Sequence, residues 1–187
     1  MVRALLADVL TGGRVALGVA AAVALLGDRV DLFSIFLSAA WASDVFDGRL
    51  ARSSGRRTWF GETDMLVDTW VGACVLAGLG LSDRAPLGLM VGGIGVLGAI
   101  YLWTRNPAIS QVLQGIAYGA ALWLIFTSAD ATLAIPLGTL AVLLVLEYEK
   151  FVGKVLPMFF RGMASFFKGE SYEDPTAASS TDDRTRI

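Results

Sequence analysis

Long apolar runs alternate with short polar breaks along most of the chain. Six runs of about membrane-spanning length occupy residues 10–27, 32–50, 63–81, 86–103, 108–127 and 131–148. A helix needs roughly 20 mainly apolar residues to cross a bilayer. Open strands would leave backbone groups unpaired in lipid, so helices are expected. The pattern predicts an all-α, polytopic membrane bundle with six transmembrane helices in residues 1–150.

The pattern changes after Tyr148. In "EKFVGKVLPMFFRGMASFFKG", Lys154, Arg161 and Lys168 recur at seven-residue steps, which places them on one helical face. This predicts an amphipathic interfacial helix over residues 151–168, bent or split at Pro157. An ordinary juxtamembrane end fits the same residues. Residues 169–187 are polar and lack a core pattern, so we expect a disordered tail.

Composition supports a membrane protein and narrows its chemistry. The chain is 55% hydrophobic, and its mean hydropathy is +0.63. It has one cysteine, Cys74, and no histidine. Histidine is the commonest ligand of transition metals and the commonest general base. Because the chain has none, any metal here would be held by oxygen.

Lysine and arginine are unevenly divided between the two predicted sides of the membrane. If the N-terminus is cytoplasmic, the outer side holds only Arg29 and Arg84 near the span ends. The cytoplasmic side holds Arg3, Arg49, Arg52, Arg56, Arg57, Arg105, Lys150, Lys154, Arg161 and Lys168. The positive-inside rule therefore predicts that both termini are cytoplasmic in a multi-pass protein of the cell membrane.

Charged residues interrupt the apolar pattern most strongly between Ser43 and Trp70. On a helix, one arc of about 140° collects two carboxylates, two small residues and a basic residue. These are Asp44, Asp47, Gly48, Ala51 and Arg52. Small residues on a charged face leave room for a ligand to approach the backbone.

The following segment repeats this arrangement with Gly61, Asp64 and Asp68 within a stripe of about 60°. If the two helices form a hairpin, four carboxylates converge near the cytoplasmic end of the bundle. Unpaired carboxylates there would repel one another, and Mg²⁺ or Mn²⁺ would compensate them and bridge to phosphate. Arg52, Arg56 and Arg57 suit phosphate oxygens. The alternative to a metal–phosphate site is a set of structural Asp–Arg pairs at the membrane edge. For Arg56 and Arg57 this structural role is the favoured interpretation.

The two charged faces together resemble the CDP-alcohol phosphotransferase (CDP-alcohol phosphatidyltransferase) family. That family carries D-x-x-D-G-x-x-A-R, eight residues, and then G-x-x-x-D-x-x-x-D. This chain matches at Asp44, Asp47, Gly48, Ala51 and Arg52, and after eight residues at Gly61, Asp64 and Asp68. Two residues, not three, separate Gly61 from Asp64, although steps of three and four both keep one helical face. "LTGGR", residues 10–14, also resembles the usual start of the family's first span.

The resemblance implies transfer of a substituted phosphoryl group from a CDP-linked lipid donor, commonly CDP-diacylglycerol, to an alcohol, with release of CMP. It implies that Mg²⁺ or Mn²⁺ is held by Asp44, Asp47, Asp64 and Asp68, and that Asp68 is also the general base. Gly48, Ala51 and Gly61 would admit the cytidine nucleotide, and Arg52 would contact phosphate.

The acceptor alcohol stays open. Family members that use glycerol phosphate often show D-P-x-A-D-K at the last two aspartates, whereas this chain has "DMLVDTW". Arg105 is a weak candidate for an acceptor phosphate and is equally well a topology charge. Gln111 and Gln114 would either line the pocket or bond between helices.

Two other functions fit the sequence less closely. One is a non-catalytic membrane protein that keeps the fold and binds a cation or lipid headgroup. The other is a small transporter, whose charges should be spread along a pathway instead of collected at one end.

Small-residue pairs suggest close helix contacts. Gly88 and Gly92, and Gly115 and Gly119, have the spacing that lets helices approach closely. We expect packing inside the bundle, with a dimer interface as the second interpretation. The expected partners are lipid, the two substrates and a second copy in a homodimer, and no nucleic acid is expected.

Overall fold

The computed structural model describes residues 2–54, 64–128, 132 and 134–170, and these residues contain helices and no strands. The predicted all-α fold is confirmed. The helices are α1 (Val2–Leu26), α2 (Val30–Ser54), α3 (Asp64–Leu81), α4 (Leu87–Thr104), α5 (Pro107–Thr127), α6 (Ala134–Leu146), α7 (Tyr148–Lys150), a π-helix (Phe151–Val155) and α8 (Leu156–Lys168).

Each predicted span lies largely within one of the helices α1–α6. Among the described residues, Asp8–Leu26 of α1, all of α4 and all of α5 are long and apolar enough to cross a membrane. Met65–Leu81 and α6 are apolar but shorter, and the second half of α2 is rich in charge. The count of six spans and the cytoplasmic termini are compatible with this structure and remain predictions.

The bundle is built around the α1–α2 hairpin. A three-residue connection, in which Asp28 adopts a left-handed backbone conformation (φ 58°), turns the chain back on itself. Helix α3 packs against α1, α5 packs against α3 and α4, and α6 packs against α2. Their apolar faces meet in a core that includes Leu25, Phe33, Leu37, Val75, Leu113 and Ile125.

The glycine pairs singled out in the sequence do not make the close contacts inside the bundle. A Cβ added at Gly88, Gly92, Gly115 or Gly119 would meet none of the described atoms within 4 Å, so packing of these pairs inside the bundle is a wrong prediction. The close approach occurs instead at α3, where a Cβ on Gly78 would lie 3.0 Å from Ala22 Cα. Spacing identifies a small-residue face but says nothing about what packs against it.

Residues 134–168 are helical apart from Glu147, and a π-helix lies between the α-helices α7 and α8. Pro136 lies in the first turn of α6, where proline is tolerated, so it does not interrupt that helix. The π-helix ends just before Pro157, which occupies the first turn of α8. Nearly all of α8 lies on the bundle surface, with Phe160 and Phe167 exposed. Residues 171–187 of the predicted disordered tail lie outside the described residues.

Candidate active site

Three carboxylates from two helices converge on one arginine of a third helix. Arg14 Nη1 of α1 lies 2.6 Å from Asp44 Oδ1 of α2 and also donates to Asp68 Oδ1 of α3. Arg14 Nη2 donates to Asp47 Oδ2 of α2. The Thr11 hydroxyl donates to the same Asp47 oxygen at 2.8 Å. A single guanidinium therefore ties together α1, α2 and α3.

Helical periodicity explains why these side chains meet. The buried face of α1 repeats every three or four residues as Thr11, Arg14, Gly18, Ala21 and Leu25. The inward face of α2 does the same as Phe33, Leu37, Ala40, Asp44 and Asp47. Because the two helices form a tight antiparallel hairpin, the polar ends of these two stripes lie opposite each other.

The charged cluster lies within the apolar bundle. Arg14 is six residues inside the candidate span Asp8–Leu26, which is about 9 Å along the helix. Its side chain is 2% exposed and that of Asp47 is 3% exposed. An ion buried in this way needs partners, because an uncompensated charge in a low-dielectric interior is strongly unfavourable. The three carboxylates and the guanidinium together carry a formal charge of −2.

A cavity of about 410 Å³ opens beside the cluster. Asp68 is 24% exposed and Asp44 is 40% exposed, and both line the cavity with Arg14 and Gln114. Much of the remaining wall is apolar and comes from α2, α5, α6 and the π-helix: Trp41, Leu122, Leu140, Leu143 and Phe151. The cavity therefore joins an acidic end to an apolar compartment.

The model of the family described as CDP-alcohol phosphatidyltransferase matches residues 4–158 of the chain. The chain belongs to this family. Its members are transferases of substituted phosphate groups and generally depend on a divalent metal. Together with the apolar helices, the family makes the protein a multi-pass membrane protein. No curated protein and no solved structure matches the chain.

The structure brings together three of the four carboxylates at the family motif positions, Asp44, Asp47 and Asp68. The fourth, Asp64, is the first residue of α3, and its side chain is outside the described part. Gly48 follows Asp47 on α2 and is half-buried. The side chains of Ala51 and Arg52 are not described, and Gly61, Arg56 and Arg57 lie outside the described residues. The roles predicted for all of these residues remain predictions.

The residues present fit a divalent cation in their chemistry. Carboxylate oxygens are the ligands that Mg²⁺ and Mn²⁺ prefer, and the described cluster carries a net negative charge that would attract such an ion. Asp47 Oδ1 is buried and has no hydrogen-bond partner among the described residues, although a buried carboxylate oxygen ordinarily has one. Among the described side chains, no three acidic or cysteine residues are already arranged around a common metal position. The three carboxylates surround the Arg14 guanidinium instead.

Arg14 and Thr11 are the site residues that the sequence reasoning missed. In the sequence, "LTGGR" indicates only the start of the family's first span, and the carboxylates are expected to be compensated by divalent metal ions. The available signal was an arginine inside an apolar span, because such a residue needs a buried partner.

The structure also separates the candidates for the acceptor side. Gln114 lines the cavity and donates to the Ser110 hydroxyl at 3.1 Å, whereas Gln111 is not part of the cavity wall. Arg105 is exposed at the C-cap of α4, also outside the wall. Of the three, only Gln114 lines this cavity.

Proposed function

We propose that the protein transfers a phosphatidyl group from CDP-diacylglycerol to an alcohol and releases CMP. The observation that carries this proposal is the cavity in which Asp44 and Asp68 meet a largely apolar compartment. Such a cavity suits a donor with a charged pyrophosphate and lipid tails. Membership of the family supports the class of reaction.

The reaction needs a base for the acceptor hydroxyl, and we assign Asp68 to this role. Asp68 reaches the cavity from α3, while Arg14 holds its Oδ1 atom. The acceptor oxygen forms a bond to the β-phosphorus of the donor. The bond between that phosphorus and the oxygen retained by CMP breaks, and the acceptor proton passes to the Asp68 carboxylate.

We assign Asp44, Asp47, Asp64 and Asp68 as the residues that hold Mg²⁺ or Mn²⁺. When bound, the cation would neutralise charge on the pyrophosphate and on the leaving CMP. Thr11 and Arg14 keep Asp47 and Asp68 oriented. Gly48, Ala51 and Gly61 leave space for the cytidine nucleotide, and Arg52 contacts phosphate.

The proposal is tested by measuring CMP release from CDP-diacylglycerol by the purified protein. Mg²⁺ or Mn²⁺ is supplied, with glycerol 3-phosphate, inositol, inositol phosphate, serine and phosphatidylglycerol as separate acceptors. We expect CMP release with one acceptor, because the base acts only on the hydroxyl of a bound alcohol. This release should depend on the metal, because the cation would neutralise charge on the pyrophosphate. Asp68→Asn should lower that rate by about 10²–10⁴-fold, the usual contribution of a positioned base.

Asp83→Asn is the matched control. Asp83 is exposed, lies between α3 and α4, and has the left-handed backbone conformation (φ 58°) that asparagine also accepts. This variant should keep the full rate. If the folded wild-type protein releases no CMP with any acceptor, the transferase proposal is wrong. A non-catalytic protein that binds a cation or headgroup would then be favoured. The first explanation to examine for the lost activity would be the spacing of two residues, instead of three, between Gly61 and Asp64.

We further propose that the protein is a homodimer in the cell membrane and that its site opens to the cytoplasm. The open glycine face of α4 supports a second copy, because a Cβ on Gly88 or Gly92 would meet no described atom within 4 Å and such faces pack closely in membranes. Cross-linking in native membranes should then yield a species of twice the monomer mass. A monomer at every concentration would reject the dimer.

A further inference from the structure

We propose that Arg14 is a resident counter-ion of the aspartate cluster. It holds Asp44, Asp47 and Asp68 together before a divalent cation binds, and it weakens the binding of that cation. This inference rests on the proposed function, because the cation in question is the one assigned to this site.

The geometry of Arg14 is the first support. Its two terminal nitrogens are both engaged, Nη1 with two carboxylates and Nη2 with a third. The guanidinium keeps its charge at all accessible pH values and presents its donors in a rigid, planar fork. Three carboxylates that would otherwise repel one another are therefore held at fixed positions by one side chain.

The second support is the state of Asp47. Its side chain is 3% exposed, and its Oδ2 atom is held by both Arg14 and Thr11. Its Oδ1 atom is buried and has no donor among the described residues. Arg14 therefore compensates the cluster only in part and leaves a buried anionic oxygen that a cation can still use.

The balance of charge sets the direction of the effect. The three described carboxylates and Arg14 carry a formal charge of −2, not counting Asp64, the fourth ligand in the proposed function. Removing the positive charge of Arg14 leaves −3 at the same place. A cation is then attracted more strongly, because a like charge a few ångströms away has been removed from a poorly screened interior.

The test uses the full-length protein in detergent and has two readouts that do not depend on activity. Electron paramagnetic resonance measures the affinity for Mn²⁺, and a thermal melt is recorded in EDTA and again in excess Mn²⁺. In Arg14→Gln we expect Mn²⁺ to bind at least about tenfold more tightly than in wild type. The melting temperature in EDTA should fall, and Mn²⁺ should raise it by more than it does in wild type, since a ligand that binds the folded state stabilises it.

Arg49→Gln is the matched control. Arg49 of α2 also forms a long-range ion pair, from its Nε atom to Oε1 of Glu147 between α6 and α7 at 2.9 Å, but outside the cluster. This variant should lose stability equally in EDTA and in Mn²⁺ and keep the wild-type affinity. If Arg14 is merely structural, Arg14→Gln will behave as Arg49→Gln does, with an equal loss of stability in EDTA and in Mn²⁺ and an unchanged Mn²⁺ affinity. That result would overturn the inference.

The remaining outcomes are also decisive. If wild type and Arg14→Gln both bind no Mn²⁺, the cation site in the proposed function fails, and this inference fails with it. If wild type binds Mn²⁺ and Arg14→Gln binds with the same affinity, only this inference fails. If Arg14→Gln cannot be purified, Arg14→Lys replaces it. Lysine keeps the charge but not the fork, so the melting temperature of Arg14→Lys in EDTA should fall, while its affinity for Mn²⁺ should stay close to that of wild type. A wild-type melting temperature in EDTA, or a Mn²⁺ affinity raised about tenfold although the charge is kept, would overturn the inference.

Discussion

Thr11 shows how one hydroxyl can orient a buried charge. Its side chain is buried in the bundle, and its hydroxyl donates to Asp47 Oδ2 of the neighbouring helix α2 at a distance of 2.8 Å. Arg14 holds the same oxygen from one turn further along α1. Two donors on one face of α1 therefore fix the orientation of the most buried carboxylate of the cluster.

Thr11→Val removes this donor and keeps the shape of the side chain. We expect a loss of about 1–3 kcal/mol in unfolding free energy, because a buried charged acceptor loses a hydrogen bond. Thermal or denaturant unfolding in detergent measures it. Thr104→Val is the control, since the Thr104 hydroxyl is exposed and, within the described part of the chain, donates to the Ile100 carbonyl of its own helix and accepts from the Asn106 amide. Equal losses in the two variants would contradict the role of Thr11.

At the scale of elements, α8 is attached to the start of α5 by one asparagine. Asn106 is 2% exposed, and its side-chain oxygen caps α5 by accepting from the Ala108 amide at 3.0 Å. Its side-chain nitrogen donates to the Gly162 carbonyl of α8 at 2.8 Å. Asn106 therefore caps α5 and also binds α8.

Gly162→Ala should loosen this attachment. A Cβ at Gly162 would lie 2.6 Å from Asn106 Oδ1 and 2.7 Å from Ala108 Cβ, so α8 would have to move away. We expect a loss of about 1–3 kcal/mol, as for overpacking in a core, and faster amide exchange throughout α8. Gly153→Ala is the control, because a Cβ there would meet no described atom within 4 Å. Unchanged exchange in α8 of Gly162→Ala would show that the helix is not anchored here.

At the scale of the whole molecule, the contacts are consistent with an even number of crossings. Arg84 pairs with Asp28, which joins the α1–α2 and α3–α4 connections at one end of the bundle. The Asn106–Gly162 contact joins the start of α5 to α8, and in a six-span topology this is the opposite end. The end that holds Arg29 and Arg84 is the one that the positive-inside rule assigns to the outer side.

This topology predicts opposite accessibility for two exposed positions. Starting from Cys74→Ser, which removes the only cysteine, a membrane-impermeant maleimide should label Asp83→Cys from outside the cell. Glu170→Cys should be labelled only in inverted vesicles, because the basic residues of α8 are expected on the cytoplasmic side. Labelling of both positions from the same side would contradict the six-span topology with cytoplasmic termini.

What the sequence by itself determined is local in origin. Apolar runs of spanning length predicted where α1–α6 lie, because the periodicity and length of a helix are properties of consecutive residues. The same holds for the charged faces of α2 and α3: carboxylates three or four residues apart share a face whatever the rest of the chain does. The motif built from these residues was also sufficient to indicate the family.

The tertiary structure alone decided which faces meet. Sequence spacing could not show that Arg14 of α1 would lie among the aspartates of α2 and α3, that Gln114 and not Gln111 would line the cavity, or that Gly78 would pack closely while Gly92 stays open. Each of these contacts joins residues far apart in the chain, so it depends on how whole helices are oriented against one another. Periodicity within one helix carries no information about that orientation.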